Sequence, residues 1–169
     1  MKEDLITESL VKDVAGGLQF NFNCCVNTET GENYAFNDEM LLEADSLLSR
    51  CSENGRWLGE DLMRISKWKH QIIVTPPNSD FCYEYMEQFV ETCVPKRDML
   101  YVRLREALNK KGPFFHFRRV IESSDYRIAW LDFRNTMFMD YVRDILRNSE
   151  ENTDYWDDWE PEFKDDLEE

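Results

Sequence analysis

The chain turns from one helix into another across residues 107–121, which read ALNKKGPFFHFRRVI. Gly112 stands where a helix commonly ends in the left-handed conformation that glycine adopts readily. Pro113 follows as a favourable first residue of the next helix, because its missing N–H has no partner to lose there. Apolar side chains then recur at the i, i+3 and i+7 spacing of one helix face, at Phe114, Phe117 and Ile121. The stretch therefore predicts a helical corner with its phenylalanines in a core.

Positive charge surrounds this corner in a protein whose formal net charge is -15. Residues 96–119 hold eight basic and two acidic side chains, a net of +6, whereas residues 149–169 hold eleven acidic and one basic, a net of -10. Bases interleaved with aromatic rings are typical of nucleic-acid-binding surfaces, although a buried corner explains the rings as well. The candidate binding residues of the corner are Lys110, Lys111, Phe115, His116, Arg118 and Arg119.

Length and composition indicate one globular domain. A chain of 169 residues that is 42% hydrophobic and 14% aromatic can bury a core. The five cysteines are odd in number, form no CxxC pair and follow no secretory segment, so we expect reduced thiols in the cytoplasm. No apolar run is long enough to span a bilayer, and we expect no membrane partner. Because the apolar periodicity stops at residues 145–146, we predict a single domain at 1–148 and an acidic aromatic tail at 149–169, partly disordered or docked.

Alternation of apolar and polar residues predicts a small sheet. Residues 18–26 have the period of a strand with one buried face, which begins after Gly16–Gly17 breaks a first helix. Residues 27–32 resemble a hairpin turn, and residues 33–36 resemble the returning strand. A third strand at residues 70–75 stops at a proline pair.

Helical spacing dominates the remainder of the chain. It predicts helices at residues 38–51, 80–92, 97–110, 113–122 and 125–148. Strands that come early and helices that come late indicate an α+β fold. We therefore expect a small antiparallel sheet of about three strands in the N-terminal half, packed by a mainly helical C-terminal half.

Several of these motifs together resemble the bacterial uncharacterised protein family zero-one-five-eight. That family has a strand ending in a proline pair and a helix with a Met-Glu-x-Phe core. A Leu-x-x-Ala-Leu helix then leads into the hallmark Gly-Arg-Gly-Ala-Phe-Arg-Arg-Phe-Lys-Asp, and a Trp-x-x-Phe helix follows. The matching segments here are Pro76–Pro77, Met86–Phe89, Leu104–Leu108, Gly112–Phe117 and Trp130–Phe133.

The match at the corner is partial. Gly112, Phe114 and Phe117 coincide with the second glycine and the two phenylalanines of the hallmark, and Lys111 and Arg118 keep basic character. The chain departs from the hallmark at Lys110 for the first glycine, Pro113 for alanine, Phe115–His116 for the arginine pair, and Arg119 for aspartate. The resemblance covers roughly residues 18–148. It implies the fold and its boundaries, but no activity and no catalytic residue.

No set of residues forms a catalytic signature. The two histidines, His70 and His116, have no motif around them, and the glutamates of residues 84–91 lie along one helix face, where solvated side chains are the rule. The cysteines follow apolar periodicities, which is typical of buried structural thiols. The chain lacks a phosphate-binding glycine loop and a GxSxG motif. We therefore expect no cofactor and no metal, and favour a binding protein over an enzyme.

The tail offers a second candidate surface, because large aromatic residues alternate there with acids. The rings are those of Tyr155, Trp156, Trp159 and Phe163. Exposed aromatics reduce solubility, so the rings either engage a partner or dock on the chain's own body. The opposite charges of tail and corner predict a contact, at least transient, between residues 154–163 and the bases of the corner.

These observations lead to two hypotheses of function. In the first, a non-enzymatic cytoplasmic regulatory protein engages a protein partner with its acidic aromatic tail. In the second, the basic segment 96–119 binds nucleic acid and the acidic tail modulates that contact. The sequence does not define the partner or the oligomeric state.

Overall fold

Three strands and seven α-helices form the described part of the chain, which in this computed structural model covers residues 1–45, 53–152, 154–157 and 159. The strands all lie in the N-terminal half and most helices follow in the C-terminal half, which confirms the predicted α+β class. Contacts group the chain into two compact units. The first comprises Met1–Pro76 and Val142–Glu169, and the second comprises Pro77–Tyr141. The boundaries between the units therefore follow Pro76 and Tyr141, whereas the sequence predicts a domain boundary at residue 148.

The sheet of the first unit has its first strand in the middle. Strand β1 (Asn23–Asn27) pairs antiparallel with β2 (Asn33–Phe36) on one side and with β3 (Gln71–Val74) on the other. The predicted hairpin between β1 and β2 is present, and its Gly31 has a φ of +75°, a value that glycine adopts without strain. The third predicted strand is present in a shorter form. One edge of the sheet is therefore the outer side of β3.

Helix α1 (Glu8–Gln19) corrects one prediction. The helix continues through the two glycines, so Leu18 is buried on a helix and the strand begins only at Asn23. A Cβ placed on Gly17 would lie 2.8 Å from Cys24 Sγ, whereas a Cβ on Gly16 would meet no described atom within 4 Å. Gly17 therefore allows the end of α1 to lie close against β1. The alternating pattern concealed this helix end because its apolar residues also fit a strand.

One hydrophobic cluster of the first unit lies against the sheet. Helices α2 (Asp38–Asp45) and α3 (Glu53–Ser66) contribute apolar side chains to it. Its buried members are Cys25, Phe36, Ala44, Leu62, Ile65, Ile73 and Trp156. Part of the helix predicted at residues 38–51 lies outside the described residues.

The second unit is helical. It contains α4 (Ser79–Cys93), α5 (Met99–Leu108), α6 (Pro113–Glu122) and the first part of α7 (Arg127–Asn148). Its buried core is Met86, Phe89, Val90, Val94, Leu100, Leu104, Leu108, Phe117 and Ile121. The ring of Trp130 packs edge to face on Phe89 and on Phe117, at centroid distances of 5.1 and 4.9 Å. The Trp-x-x-Phe segment therefore contacts the core directly.

The predicted corner between α5 and α6 is present in the second unit. Gly112 is left-handed with a φ of +75°, and Pro113 is the first residue of α6. Phe117 and Ile121 are buried, but Phe114 remains 42% exposed, so the prediction that it also lies in the core is wrong. Phe114 belongs to the first turn after the connection, at the end of the helix pair, where fewer side chains can cover it.

The two glycines of α1 provide a matched pair of stability measurements. We expect Gly16→Ala to raise the free energy of unfolding by up to about 1 kcal/mol, because alanine restricts the unfolded chain. We expect Gly17→Ala to lower it by about 1–3 kcal/mol, because the new methyl group overpacks the contact with Cys24. Urea unfolding followed by circular dichroism measures both. Equal changes for the two variants would contradict the proposed role of Gly17.

The phenylalanines of α6 provide a second comparison. We expect Phe117→Ala to lower the free energy of unfolding by about 3–5 kcal/mol, the usual result of emptying a buried aromatic site. Phe115→Ala should change it by less than about 0.5 kcal/mol, because that ring is 61% exposed. Urea unfolding again measures the difference, and similar losses in both variants would contradict it.

Candidate binding surface

The loop before α6 and its first two turns form an exposed basic and aromatic surface, here called the basic corner. Its members are Lys110, Lys111, Phe114, Phe115, Arg118 and Arg119, all of them exposed. The Arg119 guanidinium lies over the ring of Phe115, 5.6 Å from its centroid. This distance is within the range of a cation–π contact. An exposed aromatic ring is therefore held beside fixed positive charge.

The cations of the corner differ in their pairing. Arg118 Nε donates to Glu122 Oε1 at 2.7 Å, and this hydrogen bond raises the pKa of Arg118. No carboxylate of the described residues lies within ion-pair distance of Lys110, Lys111 or Arg119. These three side chains therefore contribute most of the uncompensated charge of the corner.

Two other bases of residues 96–119, Lys96 and Arg105, are paired with carboxylates within the second unit. Lys96 lies 3.6 Å from Glu91, and Arg105 lies 3.3 Å from Glu87 and 3.5 Å from Glu91. Two members of the glutamate face of α4 therefore pair with bases. The second unit as a whole holds ten acidic and ten basic side chains, so the formal charge of -15 falls on the first unit.

His116 lies beside the corner. It is half-buried, and its ring contacts Phe115 with a centroid distance of 5.5 Å. Its main-chain N–H points to the Gly112 carbonyl at 3.4 Å, as the first turn of a helix requires. These contacts fit a packed aromatic side chain at the edge of the surface.

The tail aromatics that the structure describes pack within the first unit. Trp156 is only 6% exposed, and its ring packs on Phe36 at a centroid distance of 5.0 Å. Tyr155 also contacts Phe36, at 5.8 Å, and Trp159 contacts Trp156, at 5.5 Å. The first unit holds these three rings, which is docking on the chain's own body, one of the two outcomes that the sequence allows. The predicted contact of residues 154–163 with the basic corner, at least transient, stays a prediction. Phe163 lies outside the described residues.

Sequence reasoning missed the residue that receives the tail. Gln71 is buried without solvent exposure in β3, and its Oε1 accepts hydrogen bonds from Trp156 Nε1 and from Cys25 Sγ, each at 2.9 Å. Its Nε2 donates to the Trp68 carbonyl at 2.8 Å. A glutamine in a strand that is otherwise apolar was the available signal, because a buried amide needs partners.

Neither buried thiol of β1 is activated as a nucleophile. Burial raises the pKa of the Cys24 and Cys25 thiols to about 12, so both remain protonated near neutral pH. No group of three or more histidine, cysteine or acidic side chains in the described ranges could hold a metal ion.

None of the helices described is both long enough and apolar enough to cross a membrane.

Comparison with known proteins identifies no relative: no family model matches the chain, and neither a curated protein nor a solved structure matches it. The resemblance to family zero-one-five-eight therefore stays a prediction.

Trp156 provides a test of where the core ends. We expect Trp156→Ala to lower the free energy of unfolding by about 3–5 kcal/mol, because it empties a buried aromatic site and leaves Gln71 with one partner fewer. A chain that ends at Asn148 should lose at least as much. The matched controls are a chain that ends at Trp159, which retains these contacts, and Tyr155→Phe, which loses one hydrogen bond, from Asn23 Nδ2 to the phenol oxygen.

Urea unfolding followed by circular dichroism checks the order of these four proteins. If the chain that ends at Asn148 unfolded at the same urea concentration as the full chain, the predicted domain boundary at residue 148 would stand. The burial of Trp156 would then contribute nothing to stability.

Proposed function

We propose that this is a non-enzymatic binding protein of the cytoplasm that engages an acidic segment of a protein partner with its basic corner. The observation that carries the proposal is the exposed ring of Phe115 beneath the guanidinium of Arg119. Large apolar side chains exposed within a polar rim mark interaction surfaces, and aromatic and arginine side chains are enriched among the residues that dominate binding energy. The free thiols among the described residues support a reducing compartment.

Charge supports an acidic partner. The second unit has equal numbers of acidic and basic side chains. The unpaired cations of the corner are therefore a local concentration of positive charge on a unit without net charge. An acidic segment that approaches Lys110, Lys111 and Arg119 gains attraction, which raises the association rate and orients the encounter. Apolar side chains in that segment can then cover Phe114 and Phe115. This division of roles matches ordinary interfaces, which have an apolar centre and a charged rim.

Nucleic acid is the second candidate, and the contact between Phe115 and Arg119 also favours it. A ring flanked by cations can stack on a base while the cations contact phosphates. The number of available bases argues against it, because Lys96, Arg105 and Arg118 are already paired with carboxylates. We therefore place an acidic protein segment first.

Two labelled probes distinguish these candidates on the full chain. One is a random copolymer of glutamate and tyrosine, and the other is an oligothymidylate of about 20 nucleotides, long enough for a typical single-strand site. Fluorescence anisotropy at low and moderate salt gives the affinity of each. We expect the copolymer to bind more tightly than the oligonucleotide, and its binding to weaken as salt rises.

Variants of the corner test whether this surface is the one used. We expect Phe115→Ala, and Lys110→Ala combined with Lys111→Ala, each to weaken copolymer binding by about fivefold or more, as loss of a central contact does. Met99→Ala is the matched control, since Met99 is exposed in the same unit and carries no charge. Tighter binding of the oligonucleotide would favour the nucleic-acid function, and equal binding by all variants would contradict a role for the corner.

A further inference from the structure

The outer edge of β3 is covered by the segment that follows α7. This segment, here called the strap, consists of Glu151, Asn152 and Asp154–Asp157. The Asn152 main-chain N–H donates to the Gln71 carbonyl at 3.0 Å, and the Ile73 main-chain N–H donates to Asn152 Oδ1 at 2.9 Å. Edge strands present unpaired main-chain groups, and proteins commonly cover them. One residue of the strap therefore pairs two main-chain groups of this edge.

A cluster of polar side chains, in which Thr28 is buried and His70 and Glu151 are exposed, anchors the beginning of the strap. Glu151 accepts hydrogen bonds at both carboxylate oxygens, from the Thr28 hydroxyl at Oε1 and from His70 Nδ1 at Oε2, the latter at 2.9 Å. The other ring nitrogen of His70 lies 3.7 Å from a carboxylate oxygen of Glu29. A protonated His70 therefore lies between two carboxylates, one of which belongs to the strap.

We propose that the strap is releasable, and that His70 controls it: the protonated ring holds Glu151 against the sheet, and loss of that proton loosens the strap from the edge of β3. A neutral ring can still donate one hydrogen bond from Nδ1, but it no longer attracts the charges of Glu151 and Glu29. Release returns the Ile73 N–H and the Gln71 carbonyl to water.

The charges that face these two groups define the pH range. The hydrogen bond to Glu151 and then the charge of Glu29 raise the pKa of His70 above its ordinary value of 6.5, against a smaller opposing effect of Lys69. Hydrogen bonds from Thr28 and His70 lower the pKa of Glu151 below 4.5, with a small contribution from the N-terminal ammonium group. The anchor is therefore complete between about pH 4.5 and 6.5. It is lost as the pH rises through the raised pKa of His70, and again as the pH falls through the lowered pKa of Glu151.

Hydrogen exchange of the Ile73 amide tests the proposal, because the hydrogen-bond partner of this N–H is a strap residue. Exchange detected by NMR between about pH 5.5 and 8.5, corrected for the intrinsic rate, gives its protection factor. We expect the factor to fall about two- to fivefold across this range, the change that exposed ion pairs produce. The Val11 amide, which donates to the Thr7 carbonyl in α1, is the internal control and should not follow it.

Two substitutions at His70 separate charge from other effects, and its exposed position means that both should fold. His70→Gln should give low Ile73 protection that does not vary with pH over this range. His70→Arg, which keeps a positive charge, should maintain protection to higher pH than the wild type. Constant Ile73 protection in the wild type, parallel changes at Ile73 and Val11, or wild-type behaviour of His70→Gln would each overturn the proposal. The readout lies in the first unit, so its result is independent of binding at the basic corner.

Discussion

The first unit depends on the hydrogen bonds of one buried carboxamide, that of Gln71. Its oxygen is shared by a thiol of β1 and the indole of the strap, and its nitrogen is bonded to the main chain just before β3. Leaving a buried polar group without a partner lowers the free energy of unfolding by roughly 1–3 kcal/mol. Each of these hydrogen bonds therefore stabilises the fold. The side chain thereby links positions 25, 68, 71 and 156. The hydrogen bond from the indole nitrogen of Trp156 to Gln71 orients the ring that packs on Phe36.

Local features of the sequence could be predicted because their physics is local. The left-handed glycine, the proline that follows it and the bounds of α6 depend on residues within a few positions of one another, and all were predicted from the sequence. The contact between Phe115 and Arg119 also follows from helical spacing, since residues four apart lie on one side of a helix. What spacing alone did not provide was exposure. Phe114 has the periodicity of a core residue, but its position in the first turn leaves it partly in water.

Features that depend on distant residues could not be predicted from spacing. The partner of Gln71 is 85 positions away, and the end of α1 depends on a contact with the strand that follows it. The burial of the tail aromatics is another such feature. The opposite charges of residues 96–119 and 149–169 predict attraction, but charge acts weakly between exposed groups, whereas burial of an indole with its N–H satisfied is worth several kcal/mol. The tail aromatics that the structure describes therefore pack in the apolar core of an acidic unit.

The burial of Trp156 favours the basic corner over the tail as a surface for a partner. Trp156 can bind a partner only after its hydrogen bond to Gln71 is broken and Phe36 is exposed. The free energy needed to expose the indole therefore reduces its affinity for a partner. The basic corner carries no such penalty. Phe115 is already in water, and Arg119 already holds a cation over one face of it. A surface whose aromatic group is exposed and held in place before binding loses less side-chain entropy on association. We therefore assign the strap a role other than binding a partner. In that role, the proposed change with pH is how much of the time the strap covers the edge of β3.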